Sequence, residues 1–250
     1  MRIRLIDVQC GFGGAAPGVR TLVTADQTAA SLRELGIERA LVRITPEKLD
    51  TDPVLSNAKL AAARRDHPEL IPCPVVLPAS AGDLPAEADQ VEACAAMGAG
   101  AVVVRPAQDG WLLLPWMADP LFHALEQRRL PVLLLERFVN LEQAAGLAGR
   151  YPDLPFILTQ QGYRSQRVLM ALMKAFPNLY LSIGNNYGVH GGLEQLCRTL
   201  GADRLLFGTE FPNAEPMSAV SYLLYSALSD EVKEQIGCRT FETLAGGILR

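Results

Sequence analysis

One local pattern recurs along this chain and limits what it can fold into. A helical stretch ends, a short loop carries Gly or Pro, and a brief apolar run follows. It is read in Glu34–Arg43, His67–Val76, Met97–Arg105, Arg128–Glu136, Tyr151–Thr159, Phe176–Ile183 and Leu200–Phe207. Successive runs lie roughly 23 to 31 residues apart, the length of one strand-plus-helix unit. Runs without a polar break read as strands buried on both faces. An eighth run, Ile3–Val8, opens the chain, and Gln9–Gly14 follows it as a glycine-rich loop. Thr24 is placed to cap a helix that ends near Leu35–Gly36. Eight such units in 250 residues predict a TIM-type (β/α)8 barrel. A doubly wound open sheet is the rival, but it usually needs fewer strands. Apolar patterns over Ser218–Leu228, Glu231–Ile236 and Thr240–Leu249 read as extra C-terminal helices closing over the barrel. No linker or low-complexity segment interrupts the pattern, so residues 1–250 read as a single domain.

Composition removes several functions. The net charge is -4 and no Lys/Arg block occurs, so nucleic acid and anionic membrane surfaces are poor partners. The apolar runs are far too short to span a bilayer. Met1-Arg-Ile-Arg leads straight into a strand without a secretory leader, so a cytoplasmic location is expected. Cys10, Cys73, Cys94, Cys197 and Cys238 are odd in number and widely spaced, which suits free thiols better than disulfides or a zinc ribbon.

In a parallel barrel, chemistry sits where the strands end. The most informative such end is Gly201–Pro212. Leu205–Phe207 reads as a buried strand, Gly208 lets the backbone turn, and Glu210 carries a carboxylate into the mouth. Arg43 and Arg105 end the second and fourth runs, and a guanidinium there suits a carboxylate or phosphate. The alternative is that both arginines pair with Glu136 and Glu210 in a structural network. Glu136 and Glu210 also fit an acid/base pair of carboxylates. Gln9, Cys10 and Gln160 read as pocket-lining residues. Cys10 would need a base beside it to act as a nucleophile, and no sequence feature places one.

Of the three histidines, His67 is expected at the solvated bottom of the barrel and His123 on an outer helix. His190, in Asn185–Gly192 after the seventh run, is the one loop histidine on the functional face. Gly11–Ala16 loosely fits a G-x-G-x-x-A dinucleotide fingerprint, but Pro17-Gly18 interrupts the helix it must open. Trp111–Trp116 fits either a wall over the pocket or a contact between copies in a homo-oligomer.

Several stretches together resemble one family. Gly201-Ala-Asp-Arg-Leu-Leu-Phe-Gly-Thr-Glu-Phe-Pro212 is similar to G-x-D-R-[IVL]-[IVL]-[FW]-G-[ST]-D-[FYW]-P, and Ile6–Gly11 to I-D-x-H-x-H. Leu130–Glu136 is similar to L-P-V-x-x-H, Phe156–Gly162 to [IVL]-x-x-H-x-G, and Phe241–Leu249 to a closing N-A-x-x-[IL]-[FL] helix. These are motifs of the amidohydrolase superfamily, in its "amidohydrolase 2" group of TIM-barrel hydrolases and decarboxylases. The resemblance implies a divalent ion held by histidines of the first, fifth and sixth strands and an aspartate of the eighth. Here those positions carry Gln9 and Gly11, Leu135 (or Glu136 if the register slips by one), Gln160 and Glu210. Amide oxygen is a poor ligand and glycine offers none, so no metal and no other cofactor is expected.

The resulting expectation is an amidohydrolase-like barrel that acts on a small acidic molecule without the usual metal, by hydrolysis or lactone-type ring opening. Glu136, His190 and Glu210 would take acid/base roles, and Gln9, Cys10, Arg43, Arg105 and Gln160 would hold the substrate. The alternative is a non-catalytic barrel that binds a small ligand or a partner protein.

Overall fold

The computed structural model describes residues 3–13, 23–45 and 52–249. Eight strands follow in order: β1 (Ile6–Phe12), β2 (Arg39–Ile44), β3 (Leu70–Pro72), β4 (Val102–Val103), β5 (Val132–Leu135), β6 (Phe156–Thr159), β7 (Leu179–Ile183) and β8 (Leu205–Phe207). Parallel ladders join β1 to β3 and β4 to β8. A parallel bridge between Val75 and Val103 links the two sheets, and β8 lies beside β1. The sheet is a closed parallel barrel, not the open alternative.

Buried side chains sort into two layers, as strand alternation requires. Ile6, Val8, Leu41, Ile71, Val103, Leu133, Leu135, Ile157 and Leu206 pack together inside the barrel. Val42, Leu70, Val102, Leu134, Leu158 and Phe207 pack outward against helix residues such as Leu32, Leu60 and Leu125. The first helix, Ala25–Leu35, starts at a Thr24–Gln27 capping box and stops at Gly36, whose φ of 70° suits glycine.

Strand β1 differs from the expected span. It starts at Ile6 and continues through Phe12, so Gln9–Phe12 are strand and not loop. Gly11 and Phe12 pair with Arg43 and Ile44, which holds this glycine-containing stretch extended. The register slips between Asp7 and Cys10, where β1 uses one residue more than β2. Such a bulge re-aims a side chain, here Gln9. The expected glycine-rich loop and dinucleotide fingerprint otherwise fall on Gly14–Gly18, outside the described residues.

The C-terminal helices close the end of the barrel opposite the strand termini. Cys238, Phe241 and Leu244, from the π-helical turn Gln235–Arg239 and the helix Thr240–Gly246, join the inner core. Gly100, just before β4, is needed there, since a Cβ would stand 2.8 Å from Ile71 Cγ2 and 2.9 Å from Phe241 Cζ. Glu242 fastens the helix from outside, meeting Arg4 at 2.7 Å and Arg39 at 2.9 Å.

Candidate functional site

At the C-terminal ends of the strands the inward residues turn polar. The inward rows continue to Arg43 on β2, Arg105 after β4, Thr159 on β6 and Ser182 on β7, and the bulge adds Gln9 from β1, all buried. Gly208, after β8, makes room for this layer: a Cβ there would lie 2.4 Å from Ser182 Oγ and 2.8 Å from Gln9 Cβ. Ser182 Oγ donates to Gln9 Oε1 at 3.2 Å. The other half of that amide, Gln9 Nε2, is buried without a hydrogen-bond partner among the described residues. A buried donor left unmatched costs free energy, and bound water or ligand is the usual remedy.

Gln160 and Glu210 face each other across this layer. Gln160 Nε2 donates to Glu210 Oε1 at 2.7 Å, tying the end of β6 to the end of β8. Glu210 is buried and Gln160 half-buried. Both have left-handed backbones, with φ of 63° and 62°. Among the described residues only Arg129, in a turn between helix and strand, shares that feature outside glycine. Such conformations persist only where surroundings over-determine them, and they gather at functional sites.

The arginines do not form the expected network with the glutamates. Arg105 makes a two-pronged pair with Asp109, at 3.0 Å from Nε and 2.9 Å from Nη2. The side chains are 1% and 6% exposed. Pro106 starts a single helical turn, Pro106–Asp109, which brings the carboxylate back over the guanidinium. Arg43 Nη1 donates to the Cys10 carbonyl at 3.2 Å, and its charge acts on Asp7.

Three other expected site residues lie elsewhere. Cys10 packs in the outer layer with Leu32 and Val42, because alternation turns it away from the face that Gln9 uses. Burial pushes its thiol well above the usual range, and its packing places it outside the pocket layer that Gln9 joins. Glu136 is exposed after β5, and Leu135 holds the inward position, so Glu136 does not pair with Glu210. His190 is exposed and lines a 720 Å³ groove with Glu194, Arg198 and Tyr222, away from Glu210. The remaining histidines sit on the outside. His67 is half-buried, and its Nε2 stands 2.6 Å from the exposed Asp26. His123 is on the outer helix Pro115–Arg128. In the apolar stretch, Trp111 is buried and Trp116 is 73% exposed.

Sequence reasoning gave no role to Asp7, Thr209 or Asp109. Asp7 is fully buried where β1 meets β8. Its Oδ1 accepts from Gln9 N at 2.8 Å and Thr209 N at 3.0 Å, and its Oδ2 accepts from Thr209 Oγ1. Burial raises its pKa, and the hydrogen bonds and Arg43 oppose the rise. A lone Asp inside an apolar strand was the available signal, because such a group must be matched.

The amidohydrolase family model matches residues 22–240, and the chain belongs to that family. Curated proteins yield no sequence match. Solved structures match over essentially the whole chain. An uncharacterised TIM-barrel protein from Bordetella bronchiseptica has 18% identity and a TM-score of 0.75, covering 98% of this chain and 99% of that one. A dihydroxybenzoic acid decarboxylase from Polaromonas, solved with manganese and 2-nitroresorcinol, has 16% identity and a TM-score of 0.75, covering 98% and 97%. A candidate 2-pyrone-4,6-dicarboxylic acid hydrolase from Pseudomonas putida has 16% identity and a TM-score of 0.74, covering 100% of both chains. At these identities the likeness carries the fold.

The residues at the positions where the sequence resemblance would place a divalent ion do not fit one. Gln9 Oε1 is a neutral amide oxygen that already accepts from Ser182, and Leu135 is apolar. A Cβ on Gly11 would lie 2.6 Å from Thr45 Cγ2 and 2.8 Å from the Arg43 carbonyl, so the chain leaves no space for a ligand side chain there. Gln160 turns its amide nitrogen, a donor, toward Glu210. Among the described residues no group of three or more His, Cys, Asp or Glu is arranged to hold a metal.

Proposed function

We propose that the barrel mouth takes a small carboxylate-bearing molecule without a divalent ion, and that Glu210 serves there as the general base of a hydrolysis or lactone opening. The Gln160–Glu210 pair carries this reading: a buried carboxylate held by one neutral amide on a strained backbone at the strand ends. Glu210 would draw a proton from water as the water oxygen adds to the substrate carbonyl. The same proton would pass to the leaving oxygen when the carbon–oxygen bond breaks. Arg43 supplies positive charge for the substrate's acidic group. Relatives of the same fold are named for work on dihydroxybenzoic and pyrone-dicarboxylic acids, which agrees with a small acidic substrate. The test is a panel of carboxylated lactones and esters, assayed with excess chelator. Turnover that survives chelation and disappears in Glu210→Gln supports the proposal. Turnover that requires Zn²⁺ or Mn²⁺ would refute it.

A second reading, a barrel that binds such a molecule without converting it, is favoured by the placement of Glu136 and His190 away from Glu210. It predicts thermal stabilisation by small carboxylates that Arg43→Ala abolishes, with no turnover of any panel member.

A further inference from the structure

We infer that Asp7 is the positioning residue for both Gln9 and Glu210, setting the two side chains from one buried carboxylate. Its claim to matter for function rests on the reading of Glu210 given above. Its claim as a positioning device stands on geometry alone.

On the β1 side, Asp7 Oδ1 receives Gln9 N at 2.8 Å across the bulge. The bond closes a short loop of backbone over Val8 and fixes where Gln9 leaves the strand. On the β8 side, the same oxygen receives Thr209 N at 3.0 Å, and Oδ2 receives Thr209 Oγ1. That hydroxyl in turn accepts from Phe211 N at 3.1 Å. Glu210 is therefore flanked by two residues tied, directly or through one hydroxyl, to a single carboxylate. Its left-handed φ of 62° has an evident support in this arrangement.

Elsewhere the barrel strands are joined by backbone ladders or a bridge. At this seam a side chain does the joining. A carboxylate has four lone-pair sites, so it can serve two strands at once. It also faces no competition from water, being fully buried. Gly208 keeps the approach close, since a Cβ there would collide with Gln9 and Ser182.

The experiment follows side-chain amide signals by NMR in protein labelled with ¹⁵N at Gln and Asn. Gln160 reports its bond to Glu210, and Gln9 reports the bulge. Asn178 is the internal reference, because its amide is held on the outer wall by the carbonyls of Ala148, Tyr151 and Leu154. Asp7→Ala should move the Gln160 signal to the position it takes in Glu210→Ala and shift Gln9, with Asn178 unchanged. Asp7→Asn should keep all three near wild type, because its amide can reproduce the acceptor and reverse the bond with Thr209 Oγ1. Unmoved glutamine signals in Asp7→Ala would overturn the inference. So would equal movement in Asp7→Asn, or a shift of Asn178 as large as that of Gln160. Should Asp7→Ala fail to fold, Thr209→Val decides, since it removes only the hydroxyl link: a moved Gln160 signal supports the inference and an unmoved one overturns it. No substrate enters the measurement. Failure of the hydrolase assays would leave this result standing, and failure here would leave the assays untouched.

Discussion

Arg105→Ala should cost more stability than any single exposed charge in this protein. The guanidinium and the Asp109 carboxylate are 1% and 6% exposed and share hydrogen bonds of 3.0 and 2.9 Å. Removing one partner of a buried pair strands the other charge, at about 3–5 kcal/mol. For a chain of 250 residues, each kcal/mol moves the melting temperature by about 2–4 °C, so the expected loss is on the order of 6–20 °C. Urea unfolding of Arg105→Ala, Asp109→Ala and the double variant Arg105→Met/Asp109→Leu forms a cycle. Each single variant should lose several kcal/mol. The double variant should lose much less than their sum, because replacing both charges by apolar groups leaves neither of these two stranded. By contrast, the Arg4–Glu242 pair has side chains 40% and 33% exposed, and Glu242→Ala should cost about 0–1 kcal/mol. A loss below about 1 kcal/mol in Arg105→Ala, or strict additivity in the cycle, would refute the claim that the two buried charges depend on each other. It would also reopen Arg105 as a group available to an anionic ligand.

Three further outcomes are expected. Gly208→Ala should destabilise by about 1–3 kcal/mol in urea, since its Cβ would meet Ser182 Oγ at 2.4 Å; a neutral effect would mean the mouth layer is loosely packed. Burial raises the Asp7 pKa, so its native carboxyl holds a proton more readily than the unfolded one. The associated stability is present below the ordinary carboxylate value and is lost as pH rises through the native one, so Asp7→Asn should gain on wild type from about pH 4 upward; a pH-independent difference in melting temperature would contradict this. Finally, protein purified without chelator should hold no stoichiometric Zn²⁺ or Mn²⁺ by elemental analysis, and one ion per chain lost in Glu210→Ala would show a ligand set that the donors described here do not form.

The barrel was legible because its signal is repetitive and long-range. Seven apolar runs, each behind a Gly or Pro loop, need no single residue to be right. The eighth, β1, was misplaced because Gln9–Phe12 carries a polar residue and a glycine, and only pairing with β2 makes it strand. The position of Glu210 at a strand end was equally legible, since Leu205–Phe207 and Gly208 bracket it. What the sequence hid was partnership. Arg105 finds Asp109 through a single helical turn, a local event that competes with the distant glutamates and wins on proximity. Glu136 and Leu135 differ by one residue, and a strand face reverses with each residue, so register alone decided which one points inward.

Charge matching also describes how the buried carboxylates near this mouth are held. A divalent ion would offset the charge of nearby carboxylates directly. Here the buried carboxylates are handled one at a time. Asp109 is neutralised by Arg105, Asp7 is spread over three donors beside Arg43, and Glu210 receives an amide from Gln160. Asp109 is matched locally within one helical turn, whereas Asp7 and Glu210 are matched across strands, by Thr209 and by Gln160. Converting Gln160 and Gln9 to histidine would not create an ion site by itself. Gly11 has no space for a third donor, Leu135 offers none, and Asp7 already fixes the backbone on both sides of the seam.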